Sequence, residues 1–475
     1  MKKTSKRMVS CLLSVMTAAT LLTGCGGGGS SAPASGDSAK DTTVAQEAKA
    51  DNTEGAKAES TEGAESSLSG TITMVTNSSG AEGLQAVLDE YKKTHPDVNI
   101  DFTIYENVTE FETMMTSWIS SNSLPDMYLS QASTVQQQYA AEGYLMPLTG
   151  TGIEDHLVEG DTSLVTYDGK LYAFPMATNI SVTICNNSAL KDLGIELTVD
   201  NYPKSMDEFL ALMQQCRDVG VEYPYGLAGA DLSSCTAWPF QYMYQVLYGG
   251  DPNWYADVLS GNKDWSDPEF VAMFDEYNRI REYVSPDSLG KNMDGLYADF
   301  ISGNTLFFSQ VATTIKNVKV LDPESDIILI PSSFTADPAD QTLISSFDDG
   351  ISITANAQNP ELCIDFLNYV TSPEGSTIYA NTTGTVSTVV GCEADIDPSY
   401  SIVYEVLQKG TLPNSPILSR QWIAGFKELL KSGCQNWLAG EDPQSIADTI
   451  AEEHKRLTDA DPDWVANFLE NYEWK

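Results

Sequence analysis

Apolar positions along the chain switch between the period of a strand and the period of a helix. Thr71-Ile-Thr-Met-Val-Thr76 is a short apolar-rich run that predicts a buried strand, with Asn77-Ser-Ser-Gly80 as the polar turn after it. From Glu82 to Lys93 the spacing becomes helical, with Leu84, Val87, Leu88 and Tyr91 on one face, and His95-Pro96 stops the helix. Val98 to Tyr105 predicts a second strand. Strand, helix and strand within roughly 35 residues predict a βαβ unit and a parallel sheet. The pattern continues with a helix over Phe111 to Ser120, a strand over Pro125 to Leu129 and a helix from Val135 to Glu142. Tyr167-Asp-Gly-Lys-Leu171 carries an Asp-Gly hairpin signal, and Ile180 to Cys185 reads as an apolar strand. Ser205-x-x-Glu208 is a capping box opening a helix to about Asp218. Further helices are predicted over Phe270 to Tyr283, Pro360 to Val370 and Trp422 to Leu438. No short internal repeat occurs, which argues against a solenoid. The class is α/β, and residues 25–475 are too long for one ordinary core, so two lobes are expected.

The first seventy residues follow a different logic. Lys2, Lys3, Lys6 and Arg7 precede an apolar run from Met8 to Leu22 that is too short and too early for an ordinary spanning helix. Leu22-Thr-Gly-Cys25 then resembles the bacterial lipoprotein box, in which the cysteine thiol receives a diacylglycerol and becomes the new first residue. The resemblance implies a signal peptide over 1–24, lipidation at Cys25 and a place on the outer face of the cytoplasmic membrane. Two fatty chains hold a protein there stably where one does not. A plain secretory signal with a chance cysteine, or a retained anchor, is the alternative. Residues 26–68 lack aromatics and nearly all large aliphatics, so 25–69 is expected to be a disordered, lipid-anchored linker.

Charge and cysteine usage narrow the function. The formal net charge is −41, from 26 Lys+Arg against 67 Asp+Glu. Such a surface repels nucleic acid and anionic lipid heads, so membrane contact has to come through the lipid. Of eight cysteines, none forms a CxxC pair, and those beyond Cys25 are expected to be mostly buried thiols, with room for one chance disulfide. His95, His156 and His454 show no metal-ligand spacing, and no GxSxG or Walker A motif is present. Gly24-x-Gly26-x-x-Gly29 matches a dinucleotide pattern formally but has no strand before it. Neither metal nor cofactor is called for. With so many acidic residues, a carboxylate pair suited to glycoside hydrolysis always exists, so that signal has no power.

Several stretches taken together are similar to the extracellular solute-binding proteins of ABC importers, in the carbohydrate-binding branch. They are Glu142-Gly-Tyr-Leu-Met-Pro-Leu148, Tyr167-Asp-Gly-Lys-Leu-Tyr-Ala-Phe-Pro175 running on to Asn187-Ser-Ala-Leu190, and Tyr202-Pro-Lys-Ser-Met-Asp-Glu-Phe209. Asn359-Pro-Glu-Leu-Cys-Ile-Asp-Phe-Leu-Asn-Tyr-Val-Thr-Ser-Pro-Glu374 and Leu412-Pro-Asn414 with Trp422 complete the set. The resemblance implies a type II two-lobe periplasmic-binding-protein fold, with a hinge and an interlobe cleft that closes on ligand. Carried onto this chain, it implies a first lobe from 70–178 and 349–384 and a second from 179–348. A C-terminal segment, 385–475, belongs mostly to the second. Crossings are expected near Ala177 to Ser181, near Asp348 to Ser352 and after Thr383. It also implies a monomer that takes a sugar or oligosaccharide and passes it to an ABC permease.

A sugar needs an aromatic plane for its C–H face and amides, carboxylates or backbone groups for its hydroxyls. By resemblance, Asn77, Ser78 and Ser79 follow the first strand in a ligand loop, or serve simple turn chemistry. Ser130 and Gln131 occupy another ligand loop, where maltose-type relatives carry an aromatic and an acidic residue, and Asp126 before them reads as structural. Asn179 lies at the first crossing. Asp348 and Asp349 lie at the second, accepting hydroxyls or capping a turn. Gln310 follows a strand, yet the Val-Ala-Thr-Thr314 after it lacks the tryptophan many relatives place there. Trp238 and Trp422 either stack on sugar or pack in the core, with Trp422 the better stacking candidate. Arg420 contacts a hydroxyl or an acidic sugar, or is simply exposed. A surface polysaccharide-processing enzyme and a receptor for a non-sugar solute such as a polyamine are the alternative functions.

Overall fold

The computed structural model describes residues 68–77, 80–105, 108–251 and 253–471. The expected export signal, Cys25, nearly all of the expected linker, Ser78 and Ser79 lie outside the described residues.

The βαβ reading of the first segment is what the chain forms. β1 (Gly70–Asn77), β2 (Val98–Tyr105) and β3 (Met127–Ser130) are parallel in the order β3-β1-β2. α1 (Ala81–Thr94) and α2 (Val108–Ser121) connect them, and α3 (Thr134–Ala141) follows β3. Both faces of this sheet are covered, as parallel strands require. Ile72 and Met74 enter one cluster with Leu84, Val87, Leu88 and Tyr91 of α1. Val75 points the other way, to Phe111 and Met115 of α2. Gly80 starts α1 with φ of 69°, and a Cβ there would run into the Tyr379 hydroxyl, so glycine is required twice over.

Two long strands tie the molecule together. In chain order the remaining strands are β4 (Thr166–Tyr167), β5 (Lys170–Leu171), β6 (Phe174–Asn186), β7 (Phe307–Val311), β8 (Ile327–Pro331), β9 (Leu343–Ile353), β10 (Val386–Ser387) and β11 (Asn414–Ser415). β4 and β5 form the expected hairpin, turned by Asp168 and Gly169 at φ of 46° and 70°. β6 is far longer than the Ile180–Cys185 run that its unbroken hydrophobicity marks. Its first half pairs antiparallel with β9, from Phe174 opposite Ile351 to Ser181 opposite Ile344. Its second half lies between β7 and β8. β9 in turn pairs β3 at Met127–Ser130 and β11 at Leu343 and Ile344. One nine-stranded sheet results, and β6 and β9 run through both of its halves.

The buried side chains divide where these strands cross. Phe174 and Met176 of β6 pack with Ile72, Ile351, Ile353 and Tyr379. Ile180, Val182 and Ile184, on the same face of the same strand, pack instead with Phe308, Leu329 and Leu343. A third, aromatic-rich cluster gathers Trp238, Trp254, Trp265, Trp422 and Phe426. Thr178 stands between the first two cores, half-buried.

Helix limits follow capping chemistry. Ser205 accepts from Glu208 N at 3.3 Å as the capping signature predicts, but the Glu208 carboxylate reaches Lys204 N at 2.7 Å, one residue before the cap. Ser133 and Gln136 form a full reciprocal box at α3. The predicted Trp422–Leu438 helix begins only at Phe426, after left-handed Gly425, and Trp422 lies in the turn before it. All six cysteines among the described residues are free thiols, five of them buried.

Candidate functional site

Open α/β sheets bind ligands beyond the carboxyl ends of their parallel strands. Here that edge holds Asn77 at the end of β1, Ser130 at the end of β3, and the crossing of β6 with β9. The register sets which side chains share a face. Ala177 is opposite Asp348, and Thr178 is opposite Phe347. Asn179 and Asp348 therefore project on one side of the crossing ribbon, and Thr178 and Phe347 on the other.

Asp348 is the centre of the first face. It is 5% exposed and collects donors from three separate parts of the chain. Arg420 grips it bidentately, Nη1 to Oδ1 at 2.8 Å and Nη2 to Oδ2 at 2.5 Å. Asn179 Nδ2 donates to Oδ2 at 3.1 Å, and the backbone N–H of Ala132, just after β3, donates to Oδ1 at 3.1 Å. Burial alone would push the Asp348 carboxyl up, but the Arg420 charge, its hydrogen bonds and then Asn179 outweigh burial and hold it below the usual range. Asn179 Oδ1 is buried and has no partner. Nearby, Lys427 occupies the first turn of the Phe426–Leu438 helix, where the helix dipole is unfavourable to a cation. Burial, and then repulsion from Arg420, push its amine down to about 8. From α2, burial first and then Glu428 raise the Glu112 carboxyl, while Lys427 opposes them. Groups on α2 and on the Phe426–Leu438 helix thus sense each other at this face.

A large open space lies on the other side of the ribbon. It is a groove of about 1220 Å³, whose walls include Thr178, Phe347, the β4–β5 hairpin and the helix Pro462–Asn471. None of the nine ligand candidates among the described residues lines it. Strand alternation turns Asn179 and Asp348 away from Thr178 and Phe347, and the Asn179–Asp348 face is the candidate site because the ends of β1 and β3 converge there. No cluster of three or more His, Cys, Asp or Glu among the described residues is placed to hold a metal ion, and no described helix is long and apolar enough to cross a membrane.

Comparison with known proteins identifies the family. Residues 77–377, more than half of the chain, match the model of the bacterial extracellular solute-binding proteins. This chain belongs to that family. The multiple sugar-binding protein of Streptococcus mutans serotype c is 21% identical over 328 residues, 66% of this chain and 73% of that protein. The binding protein MsmE of Bacillus subtilis, in an open conformation, superposes with a TM-score of 0.71 at 20% identity, covering 83% of this chain and 99% of its own. A sugar transporter of Bacillus licheniformis in complex with stachyose gives a TM-score of 0.67 at 18% identity, covering 82% and 100%. The fold is accordingly the type II two-lobe architecture of these solute-binding proteins.

For a solute-binding protein of this kind, the candidate residues divide into two groups. Asn179 and Asp348 meet directly. Ser130 accepts from Gln136 Nε2 at 2.8 Å, and the same nitrogen bonds the Gln131 carbonyl at 2.9 Å, leaving the Gln131 side chain exposed. Asn77 is buried at the end of β1. Gln310 is half-buried on β7, with Nε2 3.5 Å from the Ser233 carbonyl. Asp349 is turned away at φ of 54° and accepts from the Tyr379 hydroxyl at 3.0 Å.

The two tryptophans do not present a plane to this face. Trp238 is 1% exposed and stacks on Tyr277 at 4.6 Å and on Tyr242 at 5.2 Å. Trp422 is 5% exposed, donates Nε1 to the Tyr248 hydroxyl at 2.9 Å and meets Phe240, Trp265 and Phe426 edge-on. Core packing takes both rings, as it does most large aromatics. Arg420 is buried against Asp348, not exposed. Asp126 is structural, accepting from Thr73 and from Gln358 N. Sequence reading did not single out Ala132, Gln136 or Lys427. Only Gln136 had a signal, the Ser133-x-x-Gln136 capping spacing.

Proposed function

We propose that this solute-binding protein captures a sugar or oligosaccharide at the Asn179–Asp348 face and delivers it chemically unchanged to an ABC import system. The observation that carries the reading is Asn179. Its Nδ2 is committed to Asp348, while its buried Oδ1 lacks the donor that a sugar hydroxyl supplies. Arg420 uses two of its five N–H groups on Asp348, and the remainder are donors for ring and hydroxyl oxygens. Similarity to a multiple sugar-binding protein and to a sugar transporter in complex with stachyose supports the ligand class.

The supporting cast extends to Asn77, Ser78, Ser79, Ser130, Gln131 and Gln310 as ligand-loop residues. The two lobes are 70–178 with 349–384, and 179–348 with most of 385–475; the switch of core membership along β6 supports that division. The protein works as a monomer without cofactor or catalysis, tethered through lipid on Cys25 to the outer face of the cytoplasmic membrane. A thermal-shift panel of neutral mono- and oligosaccharides tests the reading. Binding to the native state stabilises it by RT ln(1 + L/Kd), where L is the free ligand concentration, so the melting temperature rises with the logarithm of ligand concentration once it exceeds Kd. At least one saccharide is expected to do so while remaining intact by mass spectrometry. Fragmented saccharide would instead make the protein an enzyme, and a response to polyamines alone would make it a receptor of another class.

A further inference from the structure

The groove behind the crossing ribbon has the chemistry of a saccharide site in its own right. Tyr167 from the hairpin and Trp464 and Phe468 from the Pro462–Asn471 helix give it aromatic surface, with Trp464 and Phe468 stacked at 5.3 Å and 26°. Between these walls lie Thr178, Gln408 and Gln421, uncharged hydrogen-bonding side chains. Gln421 is 3% exposed, and its Oε1 has no hydrogen-bond partner. Leaving such an acceptor buried and unpaired is unfavourable, and a bound hydroxyl removes the deficit. A space of about 1220 Å³ exceeds the usual range of small-molecule sites, enough for several sugar rings.

Charge selects within that class. The groove's titratable lining residues are carboxylates such as Glu159, Asp161, Asp168 and Glu470 at its exposed rim, besides the tyrosine; Lys, Arg and His are absent from its described lining. An acidic sugar would meet repulsion with no compensating cation, whereas a neutral one is admitted. The inner residues are uncharged, which favours polyhydroxylated over cationic ligands. We infer that this groove is a second binding site, for neutral oligosaccharide, on the face of the ribbon opposite Asn179 and Asp348. It uses aromatic planes of its own where Trp238 and Trp422 are packed in the core, and it stands independently of whether the first face binds sugar.

Fluorine NMR of the 5-fluorotryptophan-labelled protein tests it, with the Trp464 resonance assigned from Trp464→Phe. Raffinose, stachyose, xylotetraose and chitotriose are the probes, with glucuronate as the acidic comparison. The Trp464 resonance should shift saturably with at least one neutral probe and stay fixed with glucuronate. The shift should persist in Asn179→Ala, which disables only the first face, and Gln421→Leu should weaken the probe's half-saturation by about tenfold. A folded Gln421→Leu with unchanged half-saturation, a Trp464 response abolished by Asn179→Ala, or no response to any of the four overturns the second site. An intact Trp464 response with no Asn179-dependent binding event would instead fault the first face.

Discussion

Replacing Arg420 with methionine probes the crossing ribbon most sharply. The substitution removes both N–H···O bonds to Asp348 and leaves the carboxylate with Asn179 Nδ2 and Ala132 N. Charge centres at roughly 4 Å, with an effective dielectric near 20, attract by about 4 kcal/mol. That agrees with the about 3–5 kcal/mol lost when one partner of a buried pair is removed. Both side chains are under a tenth exposed, so water cannot replace the lost donor. Urea unfolding of Arg420→Met should therefore show a loss of about 3–5 kcal/mol. The double variant Arg420→Met with Asp348→Leu should recover most of it, since no unpaired charge remains. The sign of the pH effect follows from the lowered Asp348 pKa. Its stabilisation is present above the ordinary carboxylate value and lost as pH falls through the depressed native one, and Arg420→Met should abolish that acid-limb dependence. A single variant costing under about 1 kcal/mol, with no recovery in the double, would refute the reasoning.

Other perturbations have equally definite outcomes. His454 is buried against Tyr255, Trp265 and Phe426, and burial pushes its pKa down to about 4. Its stabilisation is whole above the ordinary 6.5 and falls by about 3 kcal/mol as pH drops toward 4, and His454→Phe should flatten the thermal-stability profile across that window. Trp422→Ala opens a cavity in the aromatic cluster and should cost about 3–5 kcal/mol in chemical denaturation, a stability loss and not a selective loss of ligand affinity. Cys25→Ala should abolish palmitate labelling and release the protein from the membrane fraction; labelled, membrane-bound variant would contradict the anchor.

The α/β class, the βαβ opening and the hairpin were legible because local periodicity and turn chemistry dictate them. The length of β6 was not, because Pro175, Thr178 and Asn179 interrupt its hydrophobic run just where it passes between cores. Asn179 and Asp348 could be picked from their place at the crossings, but their contact depends on a register between segments 169 residues apart. Trp238 and Trp422 illustrate the opposite difficulty. A tryptophan near a ligand loop has the same composition signal whether it stacks on sugar or on Tyr277, and only packing decides. Arg420 resembled a surface cation because nothing local reveals that Asp348 lies beside it in space.

Calorimetric titration of wild type and Asn179→Ala, with the saccharide that gives the largest thermal shift, tests the central claim most directly. The account predicts saturable binding by the wild type, with an Asn179-sensitive component weakened by about 1–2 kcal/mol in the folded variant. Indistinguishable isotherms, or steady heat from sugar being consumed, would contradict it.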